Sequence, residues 1–138
     1  MLDGAKGITL TIVTPHGTLE EFNVSHVRLP GKEGQFGVLP GHLPFMTPLA
    51  IGAIFLDTAE GKEVWSTSGG YAEVLPDRVT ILAETAEMAA RIDVSRAEAA
   101  RERALGRIKS LGEGLDLDRA HIALDKALNR LQIAKGGE

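Results

Sequence analysis

The sequence predicts an antiparallel β body, a sandwich or a barrel, followed by an antiparallel two-helix hairpin. Three observations carry this reading. Apolar residues alternate along short runs up to Arg91, turn residues separate those runs at regular intervals, and beyond Arg91 the apolar period changes from two to three or four.

The first run, ITLTIV, places Ile8, Leu10 and Ile12 on one face, and Thr14-Pro15-His16-Gly17 then turns the chain. EEFNV, HVRLP, AIGAIFLD, EVWSTS, YAEVL and RVTILAE continue the pattern, with breaks at PGKEG, AEGKE, SGG and PD. No helical period lies between them, so the crossover helices that parallel pairing commonly uses have no place. GQFGVLPGHLP, Gly34 to Pro44, reads as a corner that Gly37, Pro40 and Gly41 hold rigid. No helix follows it to bind a phosphate, and His42 has no partner residues for catalysis.

After Arg91, Ala97, Ala100, Ala104, Ile108 and Leu111 recur at helical steps, with Ser95 and Glu98 spaced as a capping box. GEG at 112–114 ends this helix. A second stripe follows through Leu117, Ala120, Leu124, Ala127, Leu128, Leu131 and Ala134, with Asp116 or Asp118 available near the N-cap. Alanine dominates the first stripe, so the hairpin packs closely but weakly, each methyl contributing under about 1 kcal/mol of burial.

Composition narrows the function. The 138 residues are 43% hydrophobic and 25% charged, a globular balance for one well-buried domain with a small appendage. Cysteine is absent, which removes disulfides, thiolate nucleophiles and Cys-based metal sites. The N-terminus carries no secretory or transit pattern, and the longest apolar run, Pro48 to Leu56, is too short to span a membrane. Residues 1–93 hold six Lys/Arg against twelve Asp/Glu, a net of −6, whereas residues 94–138 hold nine against seven, a net of +2. An acidic body argues against nucleic acid as a partner. Four scattered histidines lack zinc spacing, and neither GxxxxGK[ST] nor GxSxG occurs. The sequence therefore predicts no catalytic residues, no metal and no required cofactor.

One cluster stands out. Helices turning at 112–114 set Arg96 opposite Arg130, with Lys126 one turn away and Asp93 nearby. Two readings follow: Asp93 caps the first helix and pairs with Arg130, or the cations receive an anion such as a nucleotide phosphate. Arg101, Arg103 and Arg107 form either a solvated face or a contact for an acidic partner.

GKEGQFGVLPGHLPFMTPLAIG, STSGGYAEV, VTILAETAE and IDVSRAEAARERA, in this order, resemble the epsilon subunits of F-type ATP synthases. The resemblance covers nearly the whole chain. It implies an N-terminal β-sandwich over 1–91 and a C-terminal helical hairpin over 92–138. It implies a non-catalytic central-stalk subunit, peripheral on the cytoplasmic face of a bacterial inner membrane or on the stromal side of a thylakoid. Such a sandwich binds the gamma subunit and the c-ring, coupling proton flow to ATP synthesis, with Glu33, Gln35 and His42 as contact candidates. The hairpin of the family extends toward the alpha and beta subunits and inhibits ATP hydrolysis, making Arg101, Arg103 and Arg107 candidates for the beta subunit. Some members bind regulatory ATP through [IL]DxxRA, intact here as Ile92, Asp93, Arg96 and Ala97, with Glu87 matching an upstream acidic position. On the second helix Arg130 is retained, but Lys126 stands where those binders carry Arg, which removes a planar bidentate grip.

Overall fold

The computed structural model describes residues 7–110 and 114–136; the expectations for the N-terminal residues 1–6, for Leu111 and for the turn at 112–113 lie outside them. The described residues form β1 (Ile8–Thr14), β2 (Gly17–Gly31), β3 (Gly34–Val38), β4 (Phe45–Leu49), β5 (Gly52–Thr58), β6 (Gly61–Thr67), β7 (Gly70–Leu75), β8 (Arg78–Ala83) and β9 (Ala86–Met88). A 3-10 turn (Ala89–Arg91), α1 (Val94–Ser110) and α2 (Leu115–Ala134) follow. The chain divides into two compact units, Met1–Met88 and Ala89–Glu138.

The first unit is a β-sandwich organised by β2, which joins EEFNV and HVRLP into one strand of 15 residues. Its first half pairs with β1, which continues into β8, β7 and β4. Its second half lies between β3 and β5, and β5 continues into β6 and β9. Leu49 of β4 pairs with Gly31 of β2, closing the first layer back onto the long strand.

A one-residue bulge lets β2 serve both layers. Val24 pairs with Thr58 and His26 with Asp57, leaving Ser25 as the extra residue, its hydroxyl donating to the Asp57 carbonyl at 3.3 Å. Strict alternation from Val24 would turn Val27 and Leu29 outward. The bulge resets the parity, so Val24, Val27 and Leu29 are all buried.

Strand β1 pairs in parallel with β8, over Thr9–Val13 and Arg78–Leu82. Six intervening strands bring the chain back in that direction, so the parallel pair needs no crossover helix. The interior is mostly aliphatic: Ile8, Leu10 and Ile12 from β1 meet Ile54, Leu56, Val79 and Ile81, all fully buried. Trp65 packs edge-on against Phe22 with ring centroids 5.9 Å apart.

The stretch read as a corner is partly strand. Gly34–Val38 and Phe45–Leu49 are paired elements, and the corner itself contracts to Leu39–Pro44.

In the second unit, α1 begins before Ser95, so the predicted Ser95/Glu98 capping box is not used. Instead the Asp93 Oδ1 accepts the Arg96 backbone N–H at 3.1 Å. The N-cap of α2 is Gly114, without a side-chain cap; Asp116 and Asp118 lie in the first turn, where their charge favours the positive end of the helix dipole. Ala97, Ala104, Ala120, Ala127 and Leu131 are buried. Leu128 is not part of that stripe: it is 44% exposed, because it stands one residue past Ala127 and hence about 100° around the helix. No described helix is long and apolar enough to cross a membrane.

Gly70 opens β7 at φ +139°, and a Cβ there would collide with the Leu82 carbonyl oxygen on β8. Gly70→Ala is expected to cost at least about 2 kcal/mol, read as a lower urea midpoint at unchanged slope. Gly17 has φ +117° but open space around a Cβ, so Gly17→Ala bears backbone strain alone and costs less.

Candidate functional site

The hairpin carries the first set of candidates. Ile92 and Ala97 are buried, the latter completely, so these two motif residues position the helix start. Asp93 holds the Arg96 N–H, fixing the first turn of α1 while the Arg96 side chain remains exposed. Lys126 and Arg130 lie one turn apart on α2, each half-buried and each engaged by a further interaction. Glu87 belongs to the sandwich unit, where it lies on β9 across from Ser66 of β6 and is also engaged.

The arginines of α1 divide into two groups. Arg103 and Arg107 follow Arg96 by seven and eleven residues, so all three fall within roughly 20° of one line along the helix. Glu98 and Glu102 lie more than about 100° from that line and do not interrupt it. Arg101 points elsewhere, to Glu102, with Nη2 at 3.3 Å from Oε2. The three-arginine stripe Arg96–Arg103–Arg107 was legible as an i, i+7, i+11 pattern, whereas grouping Arg101 with Arg103 and Arg107 mixed two faces.

The second set lies on the sandwich. Glu33 occupies the tight turn between β2 and β3, and Gln35 follows on β3; both are exposed. His42 is half-buried, its ring 5.1 Å from Phe45 and its Nδ1 2.9 Å from the Leu43 carbonyl. Gly41, at φ +87°, donates its N–H to the Pro76 carbonyl at 2.7 Å, tying the loop to the β7–β8 turn. Around this corner Leu39 (60%), Leu43 (79%) and Met46 (60%) expose large apolar side chains, a stronger contact candidate than the polar residues.

A second apolar surface escaped the sequence reading. Pairing aligns Val13 with Leu82, Leu82 with Tyr71 and Tyr71 with Pro48, a row crossing four strands. Adjacent strands lie about 4.8 Å apart, so the row spans roughly 15 Å. Val13, Tyr71 and Leu82 line a shallow depression of about 390 Å³. Tyr71 and Leu82 stand at outward positions of alternating strands, where an apolar residue is the only signal.

Comparison with known proteins covers both units. Residues 7–89 match the family "ATP synthase, Delta/Epsilon chain, beta-sandwich domain", and residues 91–135 match its "long alpha-helix domain". The chain is 47% identical over 129 residues to the ATP synthase epsilon chain of Bacillus subtilis, spanning 94% of this chain and 98% of that one. It is 47% identical over 131 residues to the epsilon chain of Syntrophobacter fumaroxidans, spanning 95% and 98%. Among solved structures it resembles a chain of the Euglena gracilis mitochondrial ATP synthase OSCP/F1/c-ring assembly, with a TM-score of 0.78, 26% identity and coverage of 94% and 84%.

Asp93→Ala is expected to remove the α1 cap and weaken its first turn by about 1 kcal/mol. Faster amide exchange at Arg96 and its neighbours, with sandwich amides unchanged, is the measurement. Arg101→Ala, which removes an exposed pair, is expected to alter stability by less than about 0.5 kcal/mol.

Proposed function

The chain belongs to the ATP synthase delta/epsilon family, and from that premise we propose that it is a rotor subunit coupling proton flow to ATP synthesis while its hairpin restrains ATP hydrolysis. As an epsilon chain it is a non-catalytic subunit of the complex. The observation that carries the rotor reading is the match of both units, in order, to full-length epsilon chains and to a chain of an F1/c-ring assembly.

In this reading the sandwich engages gamma and the c-ring through the Glu33–His42 end, where Leu39, Leu43 and Met46 supply apolar area and Glu33, Gln35 and His42 supply polar contacts. The bacterial relatives favour the cytoplasmic face of a bacterial inner membrane over a thylakoid. The basic stripe on α1 engages an acidic surface of the beta subunits, within reach of alpha, when the hairpin extends. Opposite charge steers such docking and makes it weaken with salt. Arg101, paired with Glu102, contributes least.

A second reading concerns ATP. The intact Ile92, Asp93, Arg96 and Ala97 motif favours a nucleotide held by Arg96, Lys126 and Arg130 in the folded hairpin. With its point charge in place of a bidentate fork, Lys126 lowers the affinity without removing the attraction to phosphate.

Two measurements test these readings. Arg103→Glu with Arg107→Glu in the full-length chain is expected to relieve inhibition of ATP hydrolysis by the assembled catalytic head at least threefold; unchanged inhibition excludes the stripe as the contact. Calorimetric titration of ATP is expected to give binding that Arg96→Ala and Arg130→Ala each weaken tenfold or more. No heat at millimolar ATP removes the nucleotide reading.

A further inference from the structure

The edge of β3 carries an inference about how the sandwich is bound. Strand β3 pairs with β2 alone, and the two-residue turn Lys32-Glu33 fixes which of its groups face inward. Gly31 and Gly34 close that turn as a hydrogen-bonded pair, so Phe36 and Val38 also direct their main-chain groups to β2. Gln35 and Gly37 then direct theirs away from it. Pro30, opposite Gln35, agrees: it has no N–H to give, and its carbonyl accepts from Ala50 at 2.7 Å on the side away from β3.

Gln35 and Gly37 are exposed, and among the described residues no hydrogen bond engages their outward groups. Free sheet edges invite pairing, and soluble proteins guard them with lysine, proline, a bulge or brevity. Strand β3, Gly-Gln-Phe-Gly-Val, has five residues, regular register and neither proline nor charge. The edge at β9 is guarded by having only three residues.

We propose that the β3 edge is a strand-addition site, in which an extended segment of a partner protein of the rotor pairs with Gln35 and Gly37. In the antiparallel arrangement a partner segment of three residues exchanges N–H and C=O bonds with both residues, four main-chain bonds in all. Exposed Leu39, just past the strand end, offers apolar contact to the segment's flank. A second copy of this chain is the poorer occupant, because residues 1–93 carry a net charge of −6 and two such bodies repel. This proposal rests on the rotor reading above, and it adds that recognition runs through main chain more than through side chains.

The test uses full-length chain and an ATP synthase F1/c-ring assembly depleted of it. Gln35→Pro removes the outward N–H without touching a bond to β2, while Gln35→Ala removes the side chain and keeps the N–H. Gln35→Pro is expected to weaken binding at least tenfold beyond whatever Gln35→Ala costs, with circular dichroism melting curves of both matching the parent. In the parent complex the Gln35 and Gly37 amides are expected to exchange at least tenfold more slowly than in the free chain, with Phe36 unchanged.

Equal losses for Ala and Pro, or unchanged exchange at both amides, overturn the strand-addition site while leaving the rotor reading intact. A parent chain that fails to bind the depleted assembly overturns both. Protection of the two amides in the isolated chain, accompanied by a dimer in sedimentation, overturns the partner in favour of self-pairing.

Discussion

The sandwich depends on one strand serving two layers. Strand β2 pairs with β1 along its first half and with β3 and β5 along its second, so any error in its register is transmitted to both layers. The extra residue at Ser25 solves the resulting parity problem by turning Val24, Val27 and Leu29 all toward the core. Both exposed surfaces adjoin that register. Gly31 reaches Leu49 of β4, which sets Pro48 beside Tyr71, while Gly31 and Gly34 set the phase of β3.

The two units hold together by different amounts of the same force. Fully buried Ile, Leu and Val side chains fill the sandwich, each worth about 1.5–3 kcal/mol, whereas in the hairpin unit Ala97, Ala104, Ala120 and Ala127 supply roughly one methyl apiece beside three larger buried side chains, Ile92, Leu131 and Ile133. Helices in proteins draw most of their stability from such packing. An alanine-rich seam costs less to remodel than the sandwich core, which is the physical property that the proposed regulatory role requires. The Asp93 cap contributes locally, by ordering the first turn beside Arg96 whether or not a nucleotide is present.

Strands with strict alternation were legible because burial and sequence period agree: Ile8, Leu10 and Ile12 are the clear case. Strands β3 and β4 were not, because Gly34, Gly37 and Pro48 read as breakers, although an edge strand tolerates glycine and Pro48 lies beside Tyr71 without interrupting the register. The union of EEFNV with HVRLP was hidden by the bulge, which looks like a break in period. Parallel pairing of β1 with β8 is a consequence of topology and leaves no local signal. In the hairpin, the candidate residues were recognisable by type and motif, but their faces required a fixed helix phase. That phase separates Arg101 from Arg96, Arg103 and Arg107, and it moves Leu128 off the buried stripe.

The glycine density around Gly34–Gly41 has a backbone explanation. A Cβ at Gly37 would come within 2.7 Å of the His26 Nε2, so a side chain there would displace the imidazole on β2. His26 is itself placed by the Ser25 bulge and by its approach to Asp57, with Nδ1 3.9 Å from Oδ2. The bulge that gives β2 its second core face thus also brings the His26 ring against Gly37 on β3. A glycine there leaves the outward N–H and carbonyl unobstructed, so the seat of the His26 ring and an open strand edge share one residue. In the proposed strand addition, polar and apolar side chains of this region refine a recognition that begins with main chain.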